Sequence, residues 1–366
     1  MPALSDCVVL IGPDLVPHRC SRFAWSQDTI TTIEHGEPCD TLDEGALVII
    51  PGLYNGHTHV GDGALPDGAT GLTLEEGFFR PHGYKYRELA KLDPSEHQTH
   101  LETTLQYMAR TGTIGHLDFR EQGSAGADLL RAASKTVGMQ SVILSQYESS
   151  PFTPKELDRN EASLPSDHRA ELQTFMSIAD GFSESTMNDL TDSAWSEIKA
   201  VTAAADKLRA IHCLENAGYR ELSLQRTGKG DLIRALELLD PQLIIHLTAA
   251  NEEEIKMMAA AKATAVLNPR ANTTLGLSVP PIMPLIDAGT NLLLGTDNVM
   301  LNPPNLFAEL DFTYRLARSQ AGESRPTDPA PASILRMVTS NIAAVLGGDH
   351  HGYLAEGLPA SFVVLN

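Results

Sequence analysis

Between residues 47 and 349, short apolar runs alternate with amphipathic stretches of helical period, and few folds accept that alternation. The β-like runs are Leu47–Pro51, Thr113–Phe119, Gln140–Gln146, Gln173–Ile178, Arg209–Cys213, Leu243–Leu247, Ala263–Asn268 and Asn291–Gly295. Helical period occupies Ser95–Arg110, Ala127–Val137, Asp192–Lys207, Tyr219–Leu239, Glu252–Lys262, Pro281–Ala288, Asn305–Gln320 and Ala332–Leu346, with the weakest pattern around Lys155–Ala170. Parallel strands need a crossover long enough to hold a helix, so a strand-then-helix unit repeated this often predicts a parallel sheet. Closed on itself, that sheet is a (β/α)8 barrel of the α/β class. An open doubly wound sheet is the alternative. It calls for a glycine-rich phosphate loop after its first strand, and the residues there are His57-Thr58-His59.

The two ends of the chain read differently. Cys7–Ile11, Thr29–Ile33 and Ala46–Ile50 are short β-like runs separated by Gly and Pro, and Ala360–Leu365 is another. They predict a small composite β-domain from residues 1–46 plus 350–366, with the barrel over 47–349.

In an extended segment side chains alternate, so His57 and His59 point the same way. At the C-terminal end of a first barrel strand, that direction is into the barrel mouth. A bare His-x-His carries little weight, since the chain has 13 histidines and chance alone supplies such a pair in about half of chains like it. Its place after an apolar strand and a Pro-Gly turn raises its value. His212 ends the apolar step of the fifth strand, His246 ends that of the sixth, and Asp297 follows the eighth. Any one of these alone is more often a hydrogen-bonded structural residue. Together they lie at the face where barrels of this kind carry their chemistry. Imidazoles and a carboxylate gathered there suit a divalent ion, zinc first, with iron, manganese or nickel able to use the same donors.

Composition excludes some partners. The formal net charge is −20, which repels polyphosphate and argues against nucleic-acid or anionic-membrane partners. The same acidity fits either a salt-rich cytoplasm or an ordinary acidic enzyme. Cys7, Cys20, Cys39 and Cys213 show no metal-knuckle or disulfide spacing. With no leader-like or membrane-spanning apolar run, a soluble cytoplasmic protein acting on a small molecule is expected.

This pattern resembles the amidohydrolase superfamily over nearly the whole chain. The resemblance implies that His57, His59, His212 and Asp297 bind the metal, and that His246 ligates a second metal or contacts substrate and the activated water. His212-Cys213-Leu214-Glu215, Asn268-Pro269-Arg270-Ala271-Asn272 and Leu294-Gly295-Thr296-Asp297 are most similar to the aminohydrolases of purines, pyrimidines and triazines. That branch implies a proton-shuttling role for Glu215, with Glu215, His246 and Asp297 as the catalytic groups. Binuclear members use a carboxylated lysine on the fourth strand, and Gln173–Ile178 contains none, which favours one metal. A homodimer is compatible with the resemblance. Two departures, Asn298 after Asp297 and Ala271 within the second stretch, bear on the substrate and leave the ligands intact.

The long segment after His59 carries Arg80, His82 and Lys85, which would meet an anionic part of a substrate or form surface ion pairs. Asn268 and Arg270 are further candidate substrate contacts, Arg270 alternatively bracing the barrel mouth. His116 and Asp118 are read as core hydrogen-bonding partners ahead of outer supports of the site. Three functions fit: hydrolytic deamination of an amino-substituted heterocycle, hydrolysis of an amide, cyclic amide or other C–N bond by the same residues, and a non-catalytic metal-binding scaffold.

Overall fold

The computed structural model describes residues 2–42, 45–261 and 263–366. It contains two sheets. The smaller is built from β1 (Ala3–Ile11), β2 (Val16–Ser26), β3 (Thr29–Pro38), β4 (Leu47–Pro51) and the terminal strand Phe362–Leu365. β1, β2 and β3 form an antiparallel meander, while β4 runs parallel to β1 and antiparallel to Phe362–Leu365. Phe23, Ile30, Ile49 and Leu354 are buried between these strands, and Phe362 brings its ring to 5.0 Å from Phe23 and 4.9 Å from Trp25. The two ends of the chain therefore share one core.

The larger sheet is the barrel: β5 (Leu53–His59), β6 (Thr113–Arg120), β7 (Gln140–Ser145), β8 (Gly181–Glu184), β9 (Leu208–Cys213), β10 (Leu243–His246), β11 (Thr264–Leu267), β12 (Leu292–Leu294) and β13 (Asp297–Asn298). Every pairing within it is parallel, and neighbours follow in chain order. β12 and β13 are the two halves of an eighth strand. The first half pairs with β11, and the second closes the ring against β5, Asp297 opposite Thr58. Gly295 lies at the split because a Cβ there would fall 2.4 Å from Asn268 Oδ1 and 2.6 Å from His57 Cβ. Leu117, Phe119, Leu144, Leu243, Ile245, Val266 and Leu293 fill the barrel interior below the mouth. Each such buried side chain contributes about 1.5–3 kcal/mol relative to exposure.

Several elements differ from expectation. Leu47–Pro51 does not open the barrel; it completes the small sheet, and the first barrel strand is β5, buried along its whole length. The expected fourth strand, Gln173–Ile178, is the end of a helix, Ser166–Ile178, whose buried His168, Leu172 and Phe175 recur at helical spacing. The strand is instead β8, only four residues long, too short to show its own period. Val16–Ser26 is a strand that the apolar pattern does not reveal, because polar and apolar residues mix along it. The helix expected over Tyr219–Leu239 breaks at Gly228-Lys229-Gly230 into Ala217–Thr227 and a second piece from Asp231. The stretch Glu252–Lys262 is helical over Glu252–Ala261, and Lys262 lies outside the described residues.

Candidate functional site

Five polar side chains leave the ends of β5, β9, β10 and β13 and meet over the barrel mouth. The His57 ring lies 4.9 Å from that of His59, 5.0 Å from His212 and 6.0 Å from His246, centre to centre. Asp297 Oδ1 is 3.2 Å from His57 Nε2 and 3.7 Å from His59 Nε2. His246 and Asp297 both occupy the left-handed backbone region, with φ of 79° and 62°. Non-glycine residues adopt it only where surrounding structure holds them there. All five are buried.

The outward hydrogen bonds decide which ring nitrogens face inward. His59 Nδ1–H donates to Glu121 Oε1 at 2.6 Å, with Phe119 O at 3.0 Å, so its Nε2 carries a lone pair. His212 Nδ1–H donates to Glu184 O at 3.1 Å, and its Nε2 likewise faces inward, 3.4 Å from His57 Nε2. Lone pairs and a carboxylate converging on one point repel one another unless a cation lies between them. The donor set of His57, His59, His212 and Asp297 therefore fits a divalent ion, with orienting acceptors behind two of its imidazoles as metal sites require. Burial pushes the His57 imidazole down to about 3, leaving the neutral form a metal needs. Burial opposes ionisation of Asp297, but the imidazoles around it hold its carboxyl well below the usual carboxylate range.

His246 is different. Its donor atom falls in a cluster with His57 and His212, but its Nδ1 faces side-chain amides, Asn272 Nδ2 at 3.0 Å and Asn268 Nδ2 at 3.3 Å. Accepting there places its proton on Nε2, a donor aimed into the cavity and 3.6 Å from Glu215 Oε1. Glu215 follows β9 and takes a hydrogen bond from Tyr219; burial, then the Asp297 charge, push its carboxyl up to about 8. A carboxyl with so high a pKa can both take and return a proton near neutrality.

His59, His212, Glu215, His246 and Asp297 line a cavity of about 470 Å³ and form its floor. Leu74, Phe78 and Phe79 form one side, and Tyr219, Leu222 and Asn188 face them. Among the expected substrate contacts, Arg80 and Lys85 line this cavity. Both are paired with carboxylates, Arg80 with Glu184 and Asp189, Lys85 with Glu121 and Asp62. His82 is exposed at a separate surface depression, where its carbonyl accepts from Arg87. Asn268 is buried behind His246. Arg270 lies outside the cavity wall, its backbone N–H donating to Glu309 Oε1 at 3.0 Å. Thr58 Oγ1, between the two β5 histidines, is 2.8 Å from His116 Nδ1 and donates to Asp118 Oδ2 at 2.8 Å, which fixes β5 against β6.

Sequence reasoning missed Glu121 and Glu184, and named Asp62 and Asn272 without giving either a role. Glu121 directly follows β6, so the strand-end signal that singles out His212 points to it as well. Asp62 has no such signal; it accepts from Asn298 Nδ2 at 2.7 Å and from Met300 N at 3.2 Å, and so accounts for the asparagine after Asp297. β8, as the structure locates it, contains no lysine.

The amidohydrolase family model matches residues 48–366. A putative aminohydrolase of Methanothermobacter thermautotrophicus is 32% identical over 100% of this chain and 91% of its own length. A 5-methylthioadenosine/S-adenosylhomocysteine deaminase of Syntrophobacter fumaroxidans is 27% identical over 89% of this chain and 74% of its own. The zinc-bound adenosine deaminase of Xanthomonas campestris superposes with a TM-score of 0.82 at 22% identity, over 99% of this chain and 84% of that one. Sequence, barrel and strand-end geometry agree, and the chain belongs to the amidohydrolase family.

Proposed function

We propose that this protein is a hydrolytic deaminase of an amino-substituted nitrogen heterocycle of purine, pyrimidine or triazine type. It would use one divalent ion, zinc, held by His57, His59, His212 and Asp297. The observation that carries this reading is the pairing of Glu215 with His246 Nε2, 3.6 Å apart, beside that donor set on one cavity floor. The names of the relatives, aminohydrolase and deaminase, support it. So does the absence of lysine from β8, which favours one ion over two.

An ion in this set supplies Lewis acidity, lowering the pKa of a water toward about 7. Asp297 orients the attacking water. Glu215 takes one proton from it and delivers that proton to the ring nitrogen; the second proton, from the newly attached hydroxyl, passes to the amine, which leaves as ammonia while the carbonyl forms. His246 Nε2–H donates to the incoming oxygen as the ring carbon becomes tetrahedral. Phe78, Phe79 and Tyr219 offer flat apolar surface to a heterocycle and exclude bulk water. Arg80 and Lys85 are spoken for by carboxylates, which favours a neutral ring substrate over an anionic one.

The test is ammonia release by zinc-loaded protein across aminopurines and their nucleosides, aminopyrimidines and aminotriazines. Release from one ring class, lost in Glu215→Gln, is the expected result. No ammonia from any of them, with one zinc bound per chain, would overturn deamination and leave hydrolysis of an amide or another C–N bond.

We further read the enzyme as cytoplasmic, without nucleic-acid or membrane partners. Its acidity and its four free cysteines support this. Among the described residues, no helix is long and apolar enough to cross a membrane. A homodimer is the assembly proposed for a sedimentation measurement.

A further inference from the structure

The segment between β5 and the helix Pro94–Arg110 covers one side of the cavity with the short helices Leu74–Phe78 and Tyr84–Leu89. Two cations fasten it to the barrel. Arg80 Nη1 donates to Tyr147 O at 2.9 Å, and its Nη2 donates to Glu184 Oε1 and lies 3.6 Å from Asp189 Oδ2. Lys85 Nζ is in contact with Glu121 Oε1 and lies 3.8 Å from Asp62 Oδ2. Lys85 is 2% exposed. Gly83, between the two cations, packs so closely that a Cβ would fall 2.8 Å from both the N and the O of Phe79, so the turn presenting them is a tight one.

The residues these cations land on already have another task. Glu184 supplies the carbonyl that accepts from His212 Nδ1, and Glu121 supplies the carboxylate oxygen that accepts from His59 Nδ1. Asp62, the second partner of Lys85, holds Asn298 and Met300, which follow Asp297 in the chain. Each cation therefore stands one residue behind a proposed metal ligand.

We infer that Arg80 and Lys85 are positioning residues that couple the covering segment to the metal centre, so that seating the segment tightens the grip of His59, His212 and Asp297 on the ion. This rests on the metal-site reading above. The physical basis is that a buried carboxylate deprived of its counter-ion does not keep its place. Without Lys85, the Glu121 oxygen that faces His59 loses its cation, and only Arg120 Nη1, 3.3 Å from the other oxygen, remains; without Arg80, the β8 end beneath His212 loses its brace. Orienting partners of metal-bound histidines change metal affinity by about 10–100-fold when removed. Because coupling is reciprocal, an ion in the site holds the segment closed by the same free energy.

The experiment measures zinc affinity by competition with a chromogenic chelator, alongside thermal melting of the zinc-free proteins. The variants are Lys85→Met, Arg80→Met, Arg80→Lys and, as a control in the same segment, Lys91→Ala, whose partner Glu88 is a surface one. The expected result is zinc binding weakened about 10-fold or more in the two Met variants, partial recovery in Arg80→Lys, and no change in Lys91→Ala. Protease cleavage within residues 65–92 should also slow when zinc is added to the parent and not to Lys85→Met. Parental zinc affinity in both Met variants, whether their melting temperature or KM changes, would overturn the coupling. If a Met variant does not fold, Arg80→Gln, which keeps a donor but not the charge, takes its place, and parental zinc affinity there would overturn the coupling equally. Failure of the parent itself to bind zinc would instead remove the metal-site reading.

Discussion

The two sides of the cavity are built on different principles. On one side, His57, His59, His212, His246 and Asp297 stand on strands whose ladders fix each backbone, and two of them are held at positive φ. On the other, residues 60–92 form only short helices, and Phe79 is 39% exposed at the rim. A charge displaced by an ångström changes a reaction rate, whereas an apolar wall tolerates such a shift, so the reactive groups belong on rigid elements and selection on an adjustable one. Under the proposed function, the strand side sets which reaction is run and the segment side which molecule enters. Arg80 and Lys85 are where the two meet.

The comparison breaks most sharply at Glu215. Glu215→Gln keeps the shape and removes the proton carrier. The expected loss in kcat is about 10²–10⁴-fold with zinc content unchanged; near-parental turnover in a steady-state assay would remove Glu215 from the strand side's chemistry.

A smaller effect tests the backing of that side. Glu309, on the helix Leu306–Ala321, is buried behind Arg270, and burial pushes its carboxyl up to about 8 from an ordinary 4.5. Between those values the folded state holds a proton that the unfolded state has released, so stability falls as pH rises through that window. Glu309→Gln keeps an acceptor for the Arg270 N–H and should stabilise the protein by about 1–3 kcal/mol at pH 8 and by little at pH 4.5. Melting curves at the two pH values check this, and an equal gain at both would show that the carboxyl is not desolvated.

The smallest effect lies on the segment side. Phe79→Ala removes rim surface, so KM should rise about 3–10-fold with kcat unchanged. An equal fall in kcat and kcat/KM would show the ring acting in the transition state and blur the division between the two sides.

What was legible in the sequence follows the same division. His212, His246 and Asp297 stand out because each comes at the end of an apolar run, and His57 and His59 because they follow an apolar strand and a Pro-Gly turn; parallel strands deliver their ends to one face. Glu215 was identified through the family resemblance, by its place three residues after His212. Glu184 stayed hidden because β8 is four residues long and lies beside a helix end whose Phe175-Met176 looks equally strand-like. Leu47–Pro51 and Leu53–His59 are adjacent strands; which sheet Leu47–Pro51 joins depends on Cys7 and Phe362, far away in the chain. Arg80 and Lys85 were visible as cations but not as braces, since a charge in a loop does not announce its partner.

Sequence alone determined the class of fold and the face on which His57, His59, His212, His246 and Asp297 gather, because period, strand ends and side-chain type are local properties. Only the tertiary structure decided the proton positions on His59, His212 and His246, and which carboxylates hold Arg80 and Lys85. Those depend on groups brought within about 3 Å by packing, and no local pattern encodes a distance across the barrel.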